Sequence, residues 1–266
     1  MDLILLAALG QIFRYEMKTT VDGGAGVETA TSVHEVVVRD GIPRERVRWT
    51  GLVGSDGVDY GEAARKAGTM ELSLHPAGPL ELVKPAGNPR MVGPVTDLYT
   101  FFFAVSPRAG VTRAEGPGDV YVRPEPVMGD WSDGEQFLIG QDRTEVRIKL
   151  VSREPRLVYE TAFVPPAAGG LEMARDWMRE PVCGPAPNNF QMVRRQGEQF
   201  VVLWGCEEFT TRTEMDSGRI ERATMNNVLR WRMRVCMDRE LGRCFDQPNL
   251  SRRRRVELRR IDASSQ

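Results

Sequence analysis

Few residues of this chain are arranged for chemistry, and the histidines show it first. Only His34 and His75 occur in 266 residues, which excludes catalysis or metal binding that needs several imidazoles. His34-Glu35 begins like a zinc-protease helix, but Val37 and Val38 stand where a second histidine would have to follow one turn later. The β-branched run around it reads as a strand. The sequence holds no G-x-S-x-G elbow and no phosphate-binding loop, and Gly24-Ala25-Gly26 lacks the third glycine of a dinucleotide fingerprint. Carboxylates fall in pairs at Asp56/Asp59, Asp130/Asp133 and Glu207/Glu208, yet a glycosidase is defined by carboxylate separation in space. Asp130-Trp131-Ser132-Asp133-Gly134 departs from the alternating pattern of a calcium loop and reads as a turn. No catalytic residue, metal site or cofactor is therefore expected, and the chain reads as a non-enzyme.

The cysteines point to a compartment. Cys183, Cys206, Cys236 and Cys244 are spaced C-x22-C-x29-C-x7-C, with no C-x-x-C pair for a zinc ribbon or a redox motif. An even number fits disulfides in an oxidising compartment. Cys236 and Cys244 flank the short connection Met237–Arg243, so they are expected to pair, and Cys183 and Cys206 pair by elimination. The apolar start Leu3-Ile4-Leu5-Leu6-Ala7-Ala8-Leu9 ends in small residues at Ala8 and Gly10. It looks like a signal-peptide remnant over 1–11, set aside from the fold. An ordinary buried first strand is the alternative. A periplasmic or secreted location follows from the first reading. No apolar run reaches the roughly 18–20 residues of a membrane-spanning helix.

Charge is balanced overall at −1, but unevenly placed. Of 36 basic residues four are lysines, leaving 32 arginines, a skew better explained by coding bias than by selection. Thirteen arginines against five acids between Arg219 and Arg260 give that segment a net of +8. Arg230, Arg232 and Arg234 alternate with Trp231 and Met233, which places all three on one strand face. They read either as a solvated face paired with acids of neighbouring strands or as a cationic surface for anionic headgroups. Contact with a membrane surface is the second expectation; nucleic acid is not, since the pI is 6.2 and no aromatics interleave with Arg252-Arg253-Arg254-Arg255.

The elements that must position these residues are strands. Phe13–Val21 and a run ending at Val38 flank a glycine-rich turn, a hairpin signature. Further β-rich runs follow at Arg46–Leu52, Met70–Leu74, Leu80–Val83, Leu98–Val105, Val120–Val122, Phe137–Ile139, Val146–Val151 and Leu157–Val164. The series continues with Phe190–Arg194, Phe200–Trp204, Phe209–Met215, Ile220–Met225, Leu229–Cys236 and Arg253–Ile261. Pro and Gly punctuate nearly every gap. Helical signal is confined to Leu171–Glu180, where Leu171, Ala174, Trp177 and Met178 share a face before Pro181, and weakly to Gly61–Ala67. Gly134-Glu135-Gln136-Phe137 recurs as Gly197-Glu198-Gln199-Phe200, a weak sign of repeated meanders. The expected fold is mainly β: a large antiparallel, strongly bent sheet, half-barrel or sandwich-like, with one short covering helix. Residues 12–262 form a single domain, and a boundary between lobes, if there are two, falls near 109–118.

The leader, the long meander, the segment DLYTFFFAVSPRAGVTRAEGPGDVYV and the C-terminal GRIERATMNNVLRWRMRVCMDRELGRC together resemble a group of secreted bacterial β-rich proteins. That group is similar to the LolA-like periplasmic lipoprotein carriers. The resemblance implies an open bent sheet whose apolar concave face is partly closed by a helix and holds an apolar or amphipathic ligand, a lipid or a lipoprotein acyl chain. Leu98–Val105 has apolar residues on both strand faces, as a strand does when buried on both sides or when lining a cavity. Tyr99, Phe101 and Phe103 from this run, with Trp177 and Met178 from the covering helix, are the ligand-binding candidates. A structural or interaction protein of the envelope with a filled core is the second expectation.

Overall fold

The computed structural model of the chain describes residues 10–22, 24, 26–81, 88–106, 116–127, 136–138, 142–167 and 173–261. The strands are β1 (Ile12–Val21), β2 (Val27–Arg39), β3 (Ile42–Val53), β4 (Thr69–Leu72), β5 (Val120–Val127), β6 (Gln136–Leu138), β7 (Asp142–Ser152) and β8 (Leu157–Val164), then β9 (Phe190–Gln196), β10 (Gln199–Asp216), β11 (Arg219–Cys236) and β12 (Cys244–Ile261). Among the described residues there are two α-helices, α1 (Gly61–Arg65) and α2 (Val92–Ala104), and 3-10 turns at Pro89–Met91 and Asp176–Met178. The strands form one antiparallel sheet in the order β4-β3-β2-β1-β12-β11-β10-β8-β7-β5, with β9 added beside β10 and β6 beside β9. The sheet does not close into a barrel. Its β5 end carries Pro124 and Pro126, two positions without an N–H that fall on one side of the strand, as suits an edge.

The sheet bends around α2. His34 on β2 stacks on Phe102, while the adjacent Phe103 packs on Phe163 of β8. Those strands are five steps apart in the sheet order, roughly 24 Å if flat, so neighbouring residues of one helix reach both only because the sheet curls. Irregularities at Thr31/Ser32, Glu214/Met215, Trp231/Met233 and Leu150/Ser152 supply local bends. The one between β2 and β3 lets Trp49 and Leu52, three residues apart, both enter the core.

Two hydrophobic cores lie on opposite faces of this sheet. The larger one packs Tyr15, Met17, Val47, Trp49, Ile148 and Leu258 around α2. On β10 it takes Met215, with the odd-numbered Thr211 and Thr213 also buried. The smaller one takes even-numbered Val202 and Trp204 of β10, with Val193, Met178 and Met173. The register of β10 on β11 runs unbroken from Phe200 to Glu214, so odd and even residues point to opposite sides throughout. β10 therefore buries one face at one end and the other face at the other end, and β11 follows it with Ala223 and Met225 in the larger core and Cys236 in the smaller. The sequence reads as separate strands at Phe200–Trp204 and Phe209–Met215, and again at Ile220–Met225 and Leu229–Cys236. The structure makes each pair one strand. The polar residues between them, Glu207-Glu208 and Asn226-Asn227, mark the inversion of faces, not a turn.

Helical structure departs from expectation at two places. Leu98–Val105 is not a strand; it belongs to α2, with Val105 just past its end. Pro94, Val95, Asp97, Leu98, Phe101, Phe102 and Ala104 are buried on one half of the helix, but the apolar Val92, Tyr99 and Phe103, half-buried on the other half, blur the 3.6-residue period. Leu171–Glu180 is not the covering helix. Leu171 lies outside the described residues, and what is described is a single 3-10 turn at Asp176–Met178. The covering element of the larger core is α2 instead. The weak helical signal at Gly61–Ala67 corresponds to α1.

Candidate functional site

The sheet places Phe13, Val36, Glu45 and Leu72 side by side on the concave face, through the pairings of β1 with β2, β2 with β3 and β3 with β4. With Leu74, His75, Arg219 and Arg260 they line an open cavity of about 700 Å³, within the range of small-molecule sites. Most of its exposed wall surface is apolar. Arg219 and Arg260 enter from the end where β11 begins and β12 finishes, with Asp216 beside Arg219, and Arg44 enters from β3 next to Glu45. Arg219 lies 4.2 Å from the Phe13 ring centroid and Arg260 5.6 Å from it, distances at which a guanidinium is attracted to the ring face. Arg219 donates to Gln11 Oε1 at 2.9 Å, and Arg260 pairs with Glu221 at 2.7 Å.

Behind the cavity wall runs a buried polar relay. Glu45 Oε2 lies 2.8 Å from His34 Nδ1, and His34 Nε2 lies 3.0 Å from Ser32 Oγ. Three residues on two strands thus reproduce the spacing of a Ser-His-Glu triad. The direction is wrong for hydrolysis: Glu45 faces the cavity, whereas the hydroxyl that would attack is only 2% exposed at the far end. A nucleophile must reach its substrate, so the relay serves to hold Glu45 in place. Tyr15 stacks on His34 at 4.4 Å and donates to the carbonyl of Ile220 at 2.7 Å. Burial, with the nearby Glu45 charge second, pushes the Tyr15 phenol well above its ordinary value, so it remains a donor.

The residues singled out from sequence sit elsewhere. Phe101 has no exposed surface in the larger core; Tyr99 and Phe103 pack against that core and on each other. Met178 is fully buried in the smaller core on the opposite face, and Trp177 meets Trp204 edge-on at 4.8 Å. None of these five lines the cavity. Arg230, Arg232 and Arg234 do share one face, and each has an acidic partner: Glu208 at 3.0 Å, Glu180 at 2.7 Å and Asp246 at 2.5 Å. Arg234 also lies 4.4 Å from the Trp177 ring. Their face is that of Val202, Trp204 and Cys206, beneath the segment carrying Met173, Trp177 and Met178. Phe13, Glu45, Arg219 and Arg260 had no motif to announce them; only the strand parity of Phe13 with Tyr15 and Met17 placed it on a core face.

The four cysteines form two disulfides, Cys183–Cys206 and Cys236–Cys244. The first staples the covering segment to β10. The second joins positions directly opposite in the β11–β12 register. Among the described residues no helix is long and apolar enough to cross a membrane. Residues 1–9 of the expected leader lie outside the described residues, while Gly10 and Gln11 exchange backbone hydrogen bonds with Val36. No protein-family model matches the chain, and a search of the curated proteins returns no match.

Proposed function

We propose that this chain is an exported, non-enzymatic binding protein that holds an apolar or amphipathic ligand, a lipid or the acyl chain of a lipoprotein, against the concave face of its sheet. One observation carries the reading: an open cavity of about 700 Å³ remains beside a helix-filled core, and most of its exposed wall surface is apolar although polar and charged residues also line it. Two disulfides support a periplasmic or secreted setting. The absence of an accessible nucleophile on the Ser32-His34-Glu45 relay supports binding over turnover.

Native mass spectrometry of protein purified from its own host's envelope tests this, beside titration with a lipophilic dye. Co-purifying lipid, and dye binding lost on changing Leu74→Arg in the cavity wall with the melting temperature kept, are expected. Ligand-free protein that binds no dye, or dye binding untouched by that change, would sink the reading. It would favour an envelope protein that works through its surface.

A further inference from the structure

The arginines stacked on Phe13 at one end of the cavity assign a class of ligand. Resting on the binding reading above, we propose that the ligand is an amphiphile with an anionic head, a carboxylate or a phosphate monoester. Arg219, with Arg260 beside it, takes the head, and the partly exposed Pro43 and Leu74 take the tail. Arg219 is the key residue. Its guanidinium is laid over Phe13 and hydrogen-bonded to a neutral partner, Gln11. Among the described residues no carboxylate lies within ion-pair distance of it, whereas Arg260 has Glu221. Stacking fixes the guanidinium plane and leaves its edge donors for a planar or tetrahedral oxyanion.

Charge is mixed along the wall, with Asp216 paired in register with Arg219 and Arg44 next to Glu45. Glu45 stands two strands from Phe13, since Phe13 pairs with His34 and Glu45 pairs with Val36, roughly 10 Å across the sheet. The preference for an anionic head therefore rests on Arg219 with Arg260 beside it, and the same pair discriminates against a cationic amphiphile.

The test is calorimetric titration, below micelle concentrations, with laurate, dodecyl phosphate, dodecanol and dodecyltrimethylammonium; acetate and inorganic phosphate serve as heads without tails. Laurate and dodecyl phosphate should bind roughly tenfold or more tighter than dodecanol, the size of effect of one charge-assisted contact. Added salt should weaken only the two anions. Arg219→Gln should abolish that preference, and Arg219→Lys should restore part of it. Thermal melting matched to the parent verifies that the variants fold. Equal affinity for laurate and dodecanol, with Arg219→Gln indifferent, would overturn the head-group assignment while leaving the apolar site standing. Acetate or phosphate binding as tightly as the long chains would overturn it in favour of a free-anion site. Failure of all four amphiphiles would remove the assignment and the binding reading together.

Discussion

Arg254 of β12 grips Asp97 of α2 through both carboxylate oxygens, at 2.8 and 2.5 Å, between residues 157 positions apart in the chain. Asp97 is 1% exposed, so the helix that fills the concave face is tied to the sheet by a buried ion pair. Arg254 also donates to Asn227 of β11 at 3.1 Å, and Asn227 donates to Glu207 of β10 at 2.7 Å. The network crosses three strands at the point where the long strands exchange faces.

Burial pushes the Asp97 carboxyl up to about 6 from its usual 3.8, with the Arg254 charge and hydrogen bond opposing the rise. Between about pH 4 and 6 the folded chain therefore holds a proton that the unfolded chain releases. Stability from this group is full below about pH 4 and falls by about 3 kcal/mol as the pH climbs to about 6. Urea midpoints of the parent and Asp97→Asn, taken from pH 4 to 7, should differ by an amount that changes in this direction. A difference that stays constant across the range would refute the account.

Arg254→Gln leaves the carboxyl buried without its cation. At pH 7.5 the loss should be about 3–5 kcal/mol, the range for removing one partner of a buried pair. At pH 5, where Asp97 carries a proton more of the time, the loss should be smaller. Equal losses at both pH values would contradict a charge-based role.

Trp177→Ala should lower stability by about 3 kcal/mol, because the ring covers Trp204 in the smaller core. It should leave dye or laurate binding unchanged, since that core is on the other face from the cavity. Altered ligand affinity with an unchanged melting temperature would show instead that this segment acts as a lid.

The two disulfides should differ in weight. Cys183–Cys206 spans 23 positions and Cys236–Cys244 spans 8, which chain-entropy arithmetic turns into about 3.4 and about 2.6 kcal/mol. Paired Cys→Ala variants melted under non-reducing conditions should rank in that order. The reverse order would mean that the covering segment is held chiefly by its other contacts, such as the Asn188 amide bonded to the carbonyls of Met178 and Glu180.

Gly205→Ala should be among the most damaging small changes in the chain. A Cβ there would overlap the backbone carbonyl of Arg230 and crowd Trp231, so β10 and β11 would have to part in their middle. A melting temperature within a few degrees of the parent would show that the strands can yield.

Much of the fold was legible because strands announce themselves by β-branched residues and by the turns between them. The cysteine pairing was legible too, since the short Met237–Arg243 connection leaves one arrangement. The covering helix was not. Its buried residues share one half of the helix, but apolar Val92, Tyr99 and Phe103 on the other half blur the periodicity that separates helix from buried strand, and Trp177 and Met178 offered a more amphipathic decoy. The parity of Arg254 with Val256 and Leu258 was readable from the sequence, but its partner Asp97 was not, because nothing local couples positions so far apart. The cavity is invisible for the same reason: Phe13, Glu45, Leu72 and Arg219 come from four separate strands.

The exchange of buried faces along β10 and β11 has a consequence for how the sheet finds its alignment. A strand with one hydrophobic side can slip by two residues and still present that side to the core. Here the slip would carry polar Glu207 and Asn227, or their neighbours, out of the crossover and into one core or the other. A slip by one residue would turn both cores inside out at once. The two halves thus proofread each other, and a single alignment of 18 residues satisfies both.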